Sequence, residues 1–559
     1  MTGEAAFGDT VTGYTGTIPR LLDRAGRRDP DGIWLRSDGA NLSFAQAAGE
    51  VGVLAEALAD VGIGHGDLIL VTARTTPAYL LAWLALASLG AVTVPVNPAS
   101  SEAEFAGLIR QVEPLAVLTD PELEPAINVA VQQAGKGGRR VRSVINVHSI
   151  GDGKPGERSA ALPGADVRPD DLAVLIPTSG TTGRSKLVMQ THRAYAMAGE
   201  GFPYWMELDA SDRLMTSLPL FHINAPIYSV LGSLACGAGL VLLPRFSASG
   251  FIDAARRHGA TEFNAIGAML EILMRQPERP DDADNPLRLC YTGPAPEQAR
   301  QEEIERRFGL RIVVGYAMSE SPYGLIWPHG SRPYGTLGTV RQHPYLGTIN
   351  EAKVVAVDGA GDPGGDAGLT EAEVELGSGE TGELLLRNPV LTPGYLGMPQ
   401  ETAAVLTWDG WLRTGDLVTI NDDCTYTFVG RRKEVLRRRG ENLSPLEVEE
   451  VLDSHPDVVE SSVVGVASEL TEDEIKAFVV LAPGAQADFD ALGAYVGQRL
   501  SAFKVPRFWQ LIDALPRTPT ARIAKHRLPD GHQPEEYDSQ GLAWRASPGC
   551  RPSGSGQIR

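Results

Sequence analysis

The chain has 559 residues, of which 43% are hydrophobic and 21% are charged, and its formal net charge is −20. This is the composition of an ordinary soluble globular protein, and its length predicts about three or four structural units. The acidic balance argues against nucleic-acid binding, because that binding needs a basic face that displaces counterions. The cysteines, Cys236, Cys290, Cys424 and Cys550, lie far apart, which excludes a disulfide scaffold and suggests neither a zinc site nor a redox pair.

Neither export nor membrane insertion is expected. The amino terminus, MTGEAAFGDTVTGYTG, lacks the basic and apolar segments of a secretory signal, so we expect a cytoplasmic protein. Two long uncharged stretches occur, at 77–98 and 223–244. Each is interrupted by small residues, and each predicts a buried helix followed by a short buried strand rather than a membrane span.

Strands and helices alternate over roughly the first 350 residues. Apolar runs at 68–72, 116–119, 173–177, 287–291 and 311–314 predict strands, and helical patterns separate them. This alternation predicts an α/β fold whose sheets are mainly parallel.

The character of the sequence changes after residue 350. Short alternating segments such as 383–387 predict a β-rich subdomain, and the strand and helix patterns between 446 and 500 predict a small α+β domain. We predict a large N-terminal domain over 1–432, a small mobile C-terminal domain over 433–534, and a polar disordered tail over 535–559.

The strongest chemical signal follows the strand predicted at 172–176. It is the segment Thr178-Ser179-Gly180-Thr181-Thr182-Gly183-Arg184-Ser185-Lys186. Its glycines let the backbone approach an anion closely, its hydroxyl groups add donors, and Lys186 adds a compact positive charge. The spacing does not fit the Walker A pattern, so we predict a phosphate-binding loop of another kind.

Further motifs occur in a defined order around this loop. They are Leu218-Pro219-Leu220-Phe221-His222, Tyr291-Thr292-Gly293-Pro294-Ala295, Gly315-Tyr316-Ala317-Met318-Ser319-Glu320, Trp411-Leu412-Arg413-Thr414-Gly415-Asp416 and Val429-Gly430-Arg431-Arg432-Lys433. With them the chain resembles, over about residues 17–530, the adenylate-forming superfamily of acyl-CoA synthetases, aryl-CoA ligases, adenylation domains and luciferases. Within that superfamily it is most similar to bacterial carnitine- and medium-chain-type acyl-CoA ligases.

The resemblance implies a site for ATP and Mg²⁺. Residues 178–186 would hold the β- and γ-phosphates, with Lys186 as their cation, and Glu320 would lie near the metal. Tyr316 would stack on adenine, and Asp416 would accept hydrogen bonds from the ribose with the assistance of Arg431. The nucleotide and coenzyme A contacts implied in this way are Thr178, Ser179, Gly180, Thr181, Thr182, Gly183, Gly293, Pro294, Ala295, Tyr316, Ser319, Asp416, Arg431 and Gly440.

The resemblance also implies a substrate pocket and a hinge. His222 would lie at the mouth of the pocket and contact or gate the substrate. Lys433 would be the hinge about which the small domain turns between an adenylating and a thioester-forming pose. No acidic residue occurs between Phe221 and Leu240 to pair with a substrate ammonium, so an α-amino acid is disfavoured. The expected pocket residues are His222, Asn264, Gly267, Gly315 and Met318. They are mostly small or apolar, which predicts an uncharged body behind the reacting anion.

One position departs from the superfamily pattern. Relatives place a catalytic lysine in the carboxyl-terminal motif where this chain has Arg522, and the nearest lysine is Lys525. Arginine keeps the charge but is planar and larger, so it is not an equivalent electrostatic clamp. Either Arg522 does the same work less well, or another cation replaces it, or the activated anion is not an ordinary carboxylate. Ser185 and Leu187 also replace the proline and glycine common in the loop.

We therefore hypothesise an AMP-forming ligase that activates a small-molecule carboxylate with ATP and transfers the acyl group to coenzyme A. One alternative is the adenylation of nitrite and its transfer to an aromatic amine, for which Arg522 is the sequence support. Another is a non-catalytic nucleotide-binding homologue. Homodimers are common among relatives, so a homodimer is a possible state.

Overall fold

The computed structural model describes residues 13–135, 141–150, 166–178, 185–293, 295–357, 374–432, 436–438, 441–467, 473–500, 502–517, 523–533 and 535–539. The α-helices in chain order are α1 (Ile18–Arg28), α2 (Phe44–Asp60), α3 (Pro77–Ser88), α4 (Glu102–Val112), α5 (Glu124–Ala134), α6 (His192–Met206), α7 (Gly232–Cys236), α8 (Phe251–His258), α9 (Gly267–Met274), α10 (Gln298–Phe308), α11 (Pro399–Ala403), α12 (Pro445–Asp453) and α13 (Phe489–Gly497). A π-helix spans Ala225–Leu231, and 3₁₀ turns span Ala248–Gly250, Ala502–Lys504 and Lys525–Arg527.

The strands in chain order are β1 (Ile33–Ser37), β2 (Ala40–Ser43), β3 (Leu68–Thr72), β4 (Val92–Pro95), β5 (Ala116–Thr119), β6 (Ser143–Asn146), β7 (Leu172–Thr178), β8 (Lys186–Thr191), β9 (Arg213–Thr216), β10 (Gly239–Leu242), β11 (Glu262–Asn264), β12 (Leu289–Thr292), β13 (Arg311–Met318), β14 (Ser321–Ile326), β15 (Thr339–Val340), β16 (Glu351–Val355), β17 (Thr381–Arg387), β18 (Leu412–Ile420), β19 (Tyr426–Arg431), β20 (Leu436–Arg438), β21 (Glu441–Leu443), β22 (Val458–Ala467), β23 (Asp473–Leu481), β24 (Phe508–Leu511) and β25 (Tyr537–Asp538).

Two sheets built mainly from parallel strands form the first part of the fold. Within the described residues the larger sheet has nine strands, in the order β15-β14-β13-β12-β11-β9-β10-β1-β2, and the smaller has six, in the order β6-β5-β3-β4-β7-β8. The central strands β9, β11, β12 and β13 pair in parallel, so their carboxyl ends share one edge of the sheet. Ligands of such sheets bind at that edge. The predicted α/β architecture is confirmed.

Helix α3 is buried between the two sheets. It begins at Pro77 because the Thr76 hydroxyl accepts a hydrogen bond from the amide of Tyr79, and proline suits the first helical position. Its residues are apolar on every side, which is the pattern of a helix covered all round. Its buried apolar residues join one core cluster that includes strands of both sheets, such as Ile69 and Leu240.

The second uncharged stretch also forms a helix followed by a strand. The helix predicted in this stretch begins as the π-helix Ala225–Leu231 and continues as α7 before β10. It packs closely on α6, because a Cβ added to Gly199 would lie 2.6 Å from Cβ of Leu231. No helix in the described part of the chain has the length and apolar run that a membrane crossing needs.

The remaining strands form the β-rich subdomain and the small domain. Strands β16 to β19 form an antiparallel sheet in sequence order. In the small domain, α12 and α13 pack on β22, β23 and β24 around Val448, Val463 and Trp509. The expected α+β character of this domain is confirmed.

We predicted a disordered tail from residue 535 onwards, but the first residues of this segment are part of the small domain. Residues 535–539 are described, and β25 pairs with β24 in the sheet of the small domain. Two ion pairs explain this, because Lys476 is fully buried beside Glu536 at 2.8 Å, and Arg507 pairs with Asp538 at 3.0 Å. Residues 540–559 lie outside the described residues, and so does Lys433, at which we predicted the domain boundary.

Candidate active site

The predicted phosphate loop connects two adjacent antiparallel strands. Thr178 ends β7 and Lys186 begins β8, and the Thr178 hydroxyl donates a hydrogen bond to the Lys186 carbonyl over 3.3 Å. The Ser185 carbonyl accepts a hydrogen bond from Nε2 of Gln111 over 2.8 Å, which holds the loop's second end. The loop therefore does not join a strand to a helix, as a Walker A loop does. Its central residues Ser179, Gly180, Thr181, Thr182 and Gly183 lie outside the described residues.

Tyr395 lies between the two charged residues predicted for the phosphates and the metal. The Lys186 ammonium is 4.6 Å from the centre of the Tyr395 ring, and the Tyr395 hydroxyl donates a hydrogen bond to Oε1 of Glu320 over 2.9 Å. Burial and the Glu320 carboxylate raise the pKa of Tyr395 above its ordinary value, so the hydroxyl remains a donor. A backbone bridge to Val188 holds Tyr395 against β8. No sequence motif pointed to this tyrosine.

Glu320 is fixed through its backbone and presents its carboxylate to the site. Its carbonyl accepts a hydrogen bond from the Thr392 amide over 2.8 Å, and the carbonyl of Ser319 accepts one from Nε2 of Gln190 over 2.6 Å. The Tyr395 hydroxyl donates a hydrogen bond to Oε1 of Glu320, and no described residue donates one to Oε2.

Glu320 fits a metal that arrives with a nucleotide. No cluster of three or more His, Cys, Asp or Glu side chains able to hold a metal occurs within the described ranges. Mg²⁺ is usually bound by one or two carboxylates, with phosphate oxygens and water as its other ligands. A single carboxylate with one available oxygen meets that requirement.

The residues predicted for the nucleoside meet on one carboxylate. The Tyr316 hydroxyl, on β13, donates a hydrogen bond to Oδ2 of Asp416 over 2.5 Å, and Nε of Arg431 lies 2.9 Å from Oδ1. Asp416 is 1% exposed. Burial and Asp416 raise the pKa of Tyr316 well above its ordinary value, so its hydroxyl stays protonated. A carboxylate oxygen accepts more than one hydrogen bond, which is the chemistry that ribose hydroxyls require of a partner.

Two glycines allow β12 and β13 to approach closely at their carboxyl ends. A Cβ on Gly293 would lie 2.6 Å from the carbonyl oxygen of Gly315, which is backbone and cannot move aside cheaply. Ala295, which follows on the chain, is partly buried against the main core. Pro294 lies outside the described residues.

The predicted pocket residues lie around the same sheet edge. Asn264 ends β11 and is buried, and its Nδ2 donates a hydrogen bond to Oδ1 of Asn224 over 2.6 Å. The His222 ring is 4.5 Å from the ring of Phe221, just before the π-helix. Gly267 is the first residue of α9, and Sδ of Met318 lies 3.8 Å from the Tyr316 hydroxyl.

The lysine nearest to the departure in the carboxyl-terminal motif is engaged within the small domain. Nζ of Lys525 lies 2.8 Å from Oε1 of Glu449 and donates a hydrogen bond to the Val463 carbonyl over 3.1 Å. These contacts give Lys525 a structural role. Arg522 and Gly440 lie outside the described residues.

Comparison with known proteins decides the family. The model of the AMP-binding enzyme family matches residues 22–396, and that of the AMP-binding enzyme C-terminal domain matches residues 447–522. The chain belongs to the AMP-binding enzyme family. This confirms the predicted membership of the adenylate-forming superfamily, and this AMP-binding enzyme is an AMP-forming ligase.

Its relatives and structural neighbours match it over nearly their whole length. The sulfoacetate–CoA ligase of Cupriavidus necator is 31% identical over 523 residues, which cover 92% of this chain and 97% of the relative. The crotonobetaine/carnitine–CoA ligase of Salmonella heidelberg is 28% identical over 503 residues, with coverages of 87% and 93%. The crystal structure of ATP-bound MatB from Rhodopseudomonas palustris superposes with a TM-score of 0.79 at 25% identity, with coverages of 91% and 97%.

Proposed function

We propose that this AMP-binding enzyme activates a small-molecule carboxylic acid with ATP and transfers the acyl group to the thiol of coenzyme A. The observation that carries the proposal is the placement of Lys186 and Glu320 on either side of Tyr395, at the end of the phosphate loop. The fold-wide similarity to two CoA ligases supports coenzyme A as the acceptor.

In the first half-reaction, a carboxylate oxygen attacks the α-phosphorus of ATP, and the bond to the β-phosphate oxygen breaks. The products are an acyl adenylate and pyrophosphate. Lys186 and the loop 178–186 bind the β- and γ-phosphates, and Glu320 would hold Mg²⁺, which would supply positive charge to the phosphate groups. Catalysis then consists mainly of positioning and charge stabilisation.

The nucleoside is held by the neighbouring side chains. Asp416 binds the ribose hydroxyls, and its own position is fixed by the hydrogen bond from Tyr316 and by Arg431. The Tyr316 ring stacks on adenine, next to the close approach of Gly293 and Gly315. A carboxylate with two rigid partners loses little freedom when it binds the sugar.

In the second half-reaction, the thiol of coenzyme A attacks the acyl carbonyl carbon, a thioester forms, and AMP leaves. Lys433 is the hinge that brings the small domain into this pose, and Gly440 lines the passage for the pantetheine arm. Arg522 supplies positive charge to the first half-reaction. His222 lies where the acid enters, and Asn264, Gly267 and Met318 line the pocket with it. The proposed location is the cytoplasm.

The test is the detection of products by mass spectrometry from Mg-ATP and a panel of aliphatic and aryl acids, with and without coenzyme A. Parallel reactions contain nitrite with an aromatic amine. We expect AMP and an acyl-CoA that both depend on the acid. AMP formed only with nitrite and an amine would contradict the proposal, and so would the absence of turnover with every acid, which would indicate a nucleotide-binding homologue.

A further inference from the structure

One arginine behind the proposed substrate pocket is completely buried. Arg341 follows β15 and is 0% exposed. Its guanidinium is surrounded by aromatic rings, and its carbon lies 4.5 Å from the ring centre of Trp205 and 5.2 Å from that of Tyr228. Positive charge over aromatic faces is stabilised by the ring quadrupoles, but it is not neutralised by them.

The neutral partners of Arg341 use four of its five donors. Nε donates to the Leu325 carbonyl over 3.1 Å, and Nη1 donates to the Tyr228 hydroxyl over 2.7 Å and the Pro322 carbonyl over 2.9 Å. Nη2 donates to the Tyr291 hydroxyl over 2.5 Å. An arginine side chain has five N–H groups, so one donor on Nη2 has no partner among the described residues.

The missing counter-charge distinguishes Arg341 from the other buried arginines. Arg193, which is 8% exposed, pairs with Asp170 at 2.6 Å, and Arg507, which is 7% exposed, pairs with Asp538 at 3.0 Å. No carboxylate of the described residues forms an ion pair with Arg341. A buried charge without an opposite charge is costly, which favours any anion that can reach it.

The remaining donor lies beside the proposed substrate pocket. A Cβ on Gly315 would lie 2.8 Å from Nη2 of Arg341 and 2.9 Å from the Tyr291 hydroxyl, so both polar groups lie directly behind Gly315. Tyr228 lies on the π-helix, four residues after its N-cap residue Asn224, and Asn224 contacts Asn264. Asn224 and Tyr228 therefore lie about one helical turn apart, which brings a partner of Arg341 close to the proposed pocket residue Asn264 and favours a short acid.

We propose that Arg341 and Tyr291 bind a second anionic group, a carboxylate or a sulfonate, at the far end of a short acid substrate. The inference rests on the proposed function and specifies its substrate class. It replaces the expectation of an uncharged body behind the reacting carboxylate. A second acidic group supplies the counter-charge that the described residues do not.

The first test uses the unmodified enzyme and acids of matched shape. Succinate is compared with butyrate, and sulfoacetate with 3,3-dimethylbutyrate, by the kcat/KM of pyrophosphate release. We expect each dianion to exceed its neutral-ended partner at least tenfold. Equal or better use of the neutral-ended acids would overturn this inference and leave the proposed function standing. Release of pyrophosphate with no acid at all would overturn the proposed function itself.

The second test uses R341M, which keeps the length of the side chain and removes its charge. We expect the KM for succinate to rise at least tenfold, while the KM and kcat for butyrate change less than threefold. R193M is the matched control, because it removes a buried arginine that pairs with Asp170, and it should affect both acids equally. An equal loss on both acids in R341M would assign Arg341 to structure alone and overturn the inference. If R341M does not fold, Y291F provides the same comparison, with a several-fold rise in KM expected for succinate only.

Discussion

The Tyr395 hydroxyl bonds to the carboxylate of Glu320, although 75 residues separate them in the chain. The same ring faces the ammonium of Lys186. One buried aromatic side chain thus sets the spacing between the cation and the carboxylate on which the proposed phosphate chemistry depends. Tyr395 is therefore a positioning residue, which acts through Glu320 and Lys186.

Replacement of Tyr395 by phenylalanine tests this role. Y395F keeps the ring against Lys186 but removes the hydrogen bond to Glu320. A hydrogen bond to a charged group is worth about 1.5–3 kcal/mol, so we expect the adenylation rate to fall roughly tenfold or more and the Mg²⁺ requirement to rise. The measurement is pyrophosphate release as a function of Mg²⁺. Y345F, which alters a tyrosine that is 77% exposed, is the control. An unchanged Mg²⁺ dependence in Y395F would refute the role.

Asp416 should determine how well the enzyme recognises ribose. In D416N the carboxylate charge is lost, and we expect the KM for ATP to rise roughly tenfold while the KM for the acid is unchanged. The preference for ATP over 2′,3′-dideoxy-ATP should fall towards one. D409N, at an exposed turn of the same subdomain, is the control. If D416N keeps the full preference for ATP, the assignment of Asp416 to the ribose is wrong.

The two cations of the carboxyl-terminal motif should behave differently. Lys525 is held by Glu449 and the Val463 carbonyl, so K525M should lower the melting temperature but change the adenylation rate less than threefold. R522A should slow adenylation at least roughly tenfold, without slowing thioester formation from a supplied acyl adenylate. Both half-reactions are measured separately. A larger loss of adenylation in K525M than in R522A would reverse the assignment.

Stability should depend on pH through Glu262. This residue begins β11 and is fully buried, and neither carboxylate oxygen has a hydrogen-bond partner among the described residues. Burial, with a contribution from Asp212, raises the pKa of Glu262 well above its ordinary value of 4.5. Because the pKa of Glu262 is higher in the folded state, its protonated form favours folding. This contribution to stability is complete below the unfolded pKa and is lost as the pH rises towards the folded pKa.

The substitution E262Q removes this titration. Its stability relative to the unmodified protein should therefore increase between pH 5 and pH 8, by at most about 1.4 kcal/mol per pH unit. Denaturant unfolding at several pH values measures the difference. E302Q, on the exposed face of α10, should show no such trend. A difference that is constant with pH would contradict the account of Glu262.

Much of the architecture is predictable from the sequence because apolar runs and helical periodicity report burial directly. The strands at 68–72 and 116–119 have the predicted bounds, and the stretch 77–98 forms the predicted helix and strand. The close packing of the π-helix on α6 was not predictable, because it is a tertiary contact between Gly199 and Leu231. The tail from Glu535 was misjudged because its composition is polar, whereas its order depends on the buried charge of Lys476.

The sequence identifies candidate site residues where they stand in a motif, and misses residues that only tertiary contacts bring to the site. Lys186, Glu320 and Asp416 stand in recognisable motifs. Tyr395 follows a proline and a glycine in an ordinary turn sequence, and only its backbone bridge to Val188 brings it to Glu320. The sequence around Arg341, with Gln342 next to it, is typical of a surface residue. Its burial depends on contacts with Tyr291 and Tyr228, which are 50 and 113 residues away in the chain.

The most direct test of the central claim is oxygen transfer from the acid to AMP. An acid that supports turnover is labelled with ¹⁸O in its carboxylate, and the AMP is analysed by mass spectrometry. Attack of the carboxylate on the α-phosphorus predicts that each AMP carries one ¹⁸O atom after the thioester forms. Unlabelled AMP, or labelled inorganic phosphate together with ADP, would contradict an acyl adenylate and with it the proposed function.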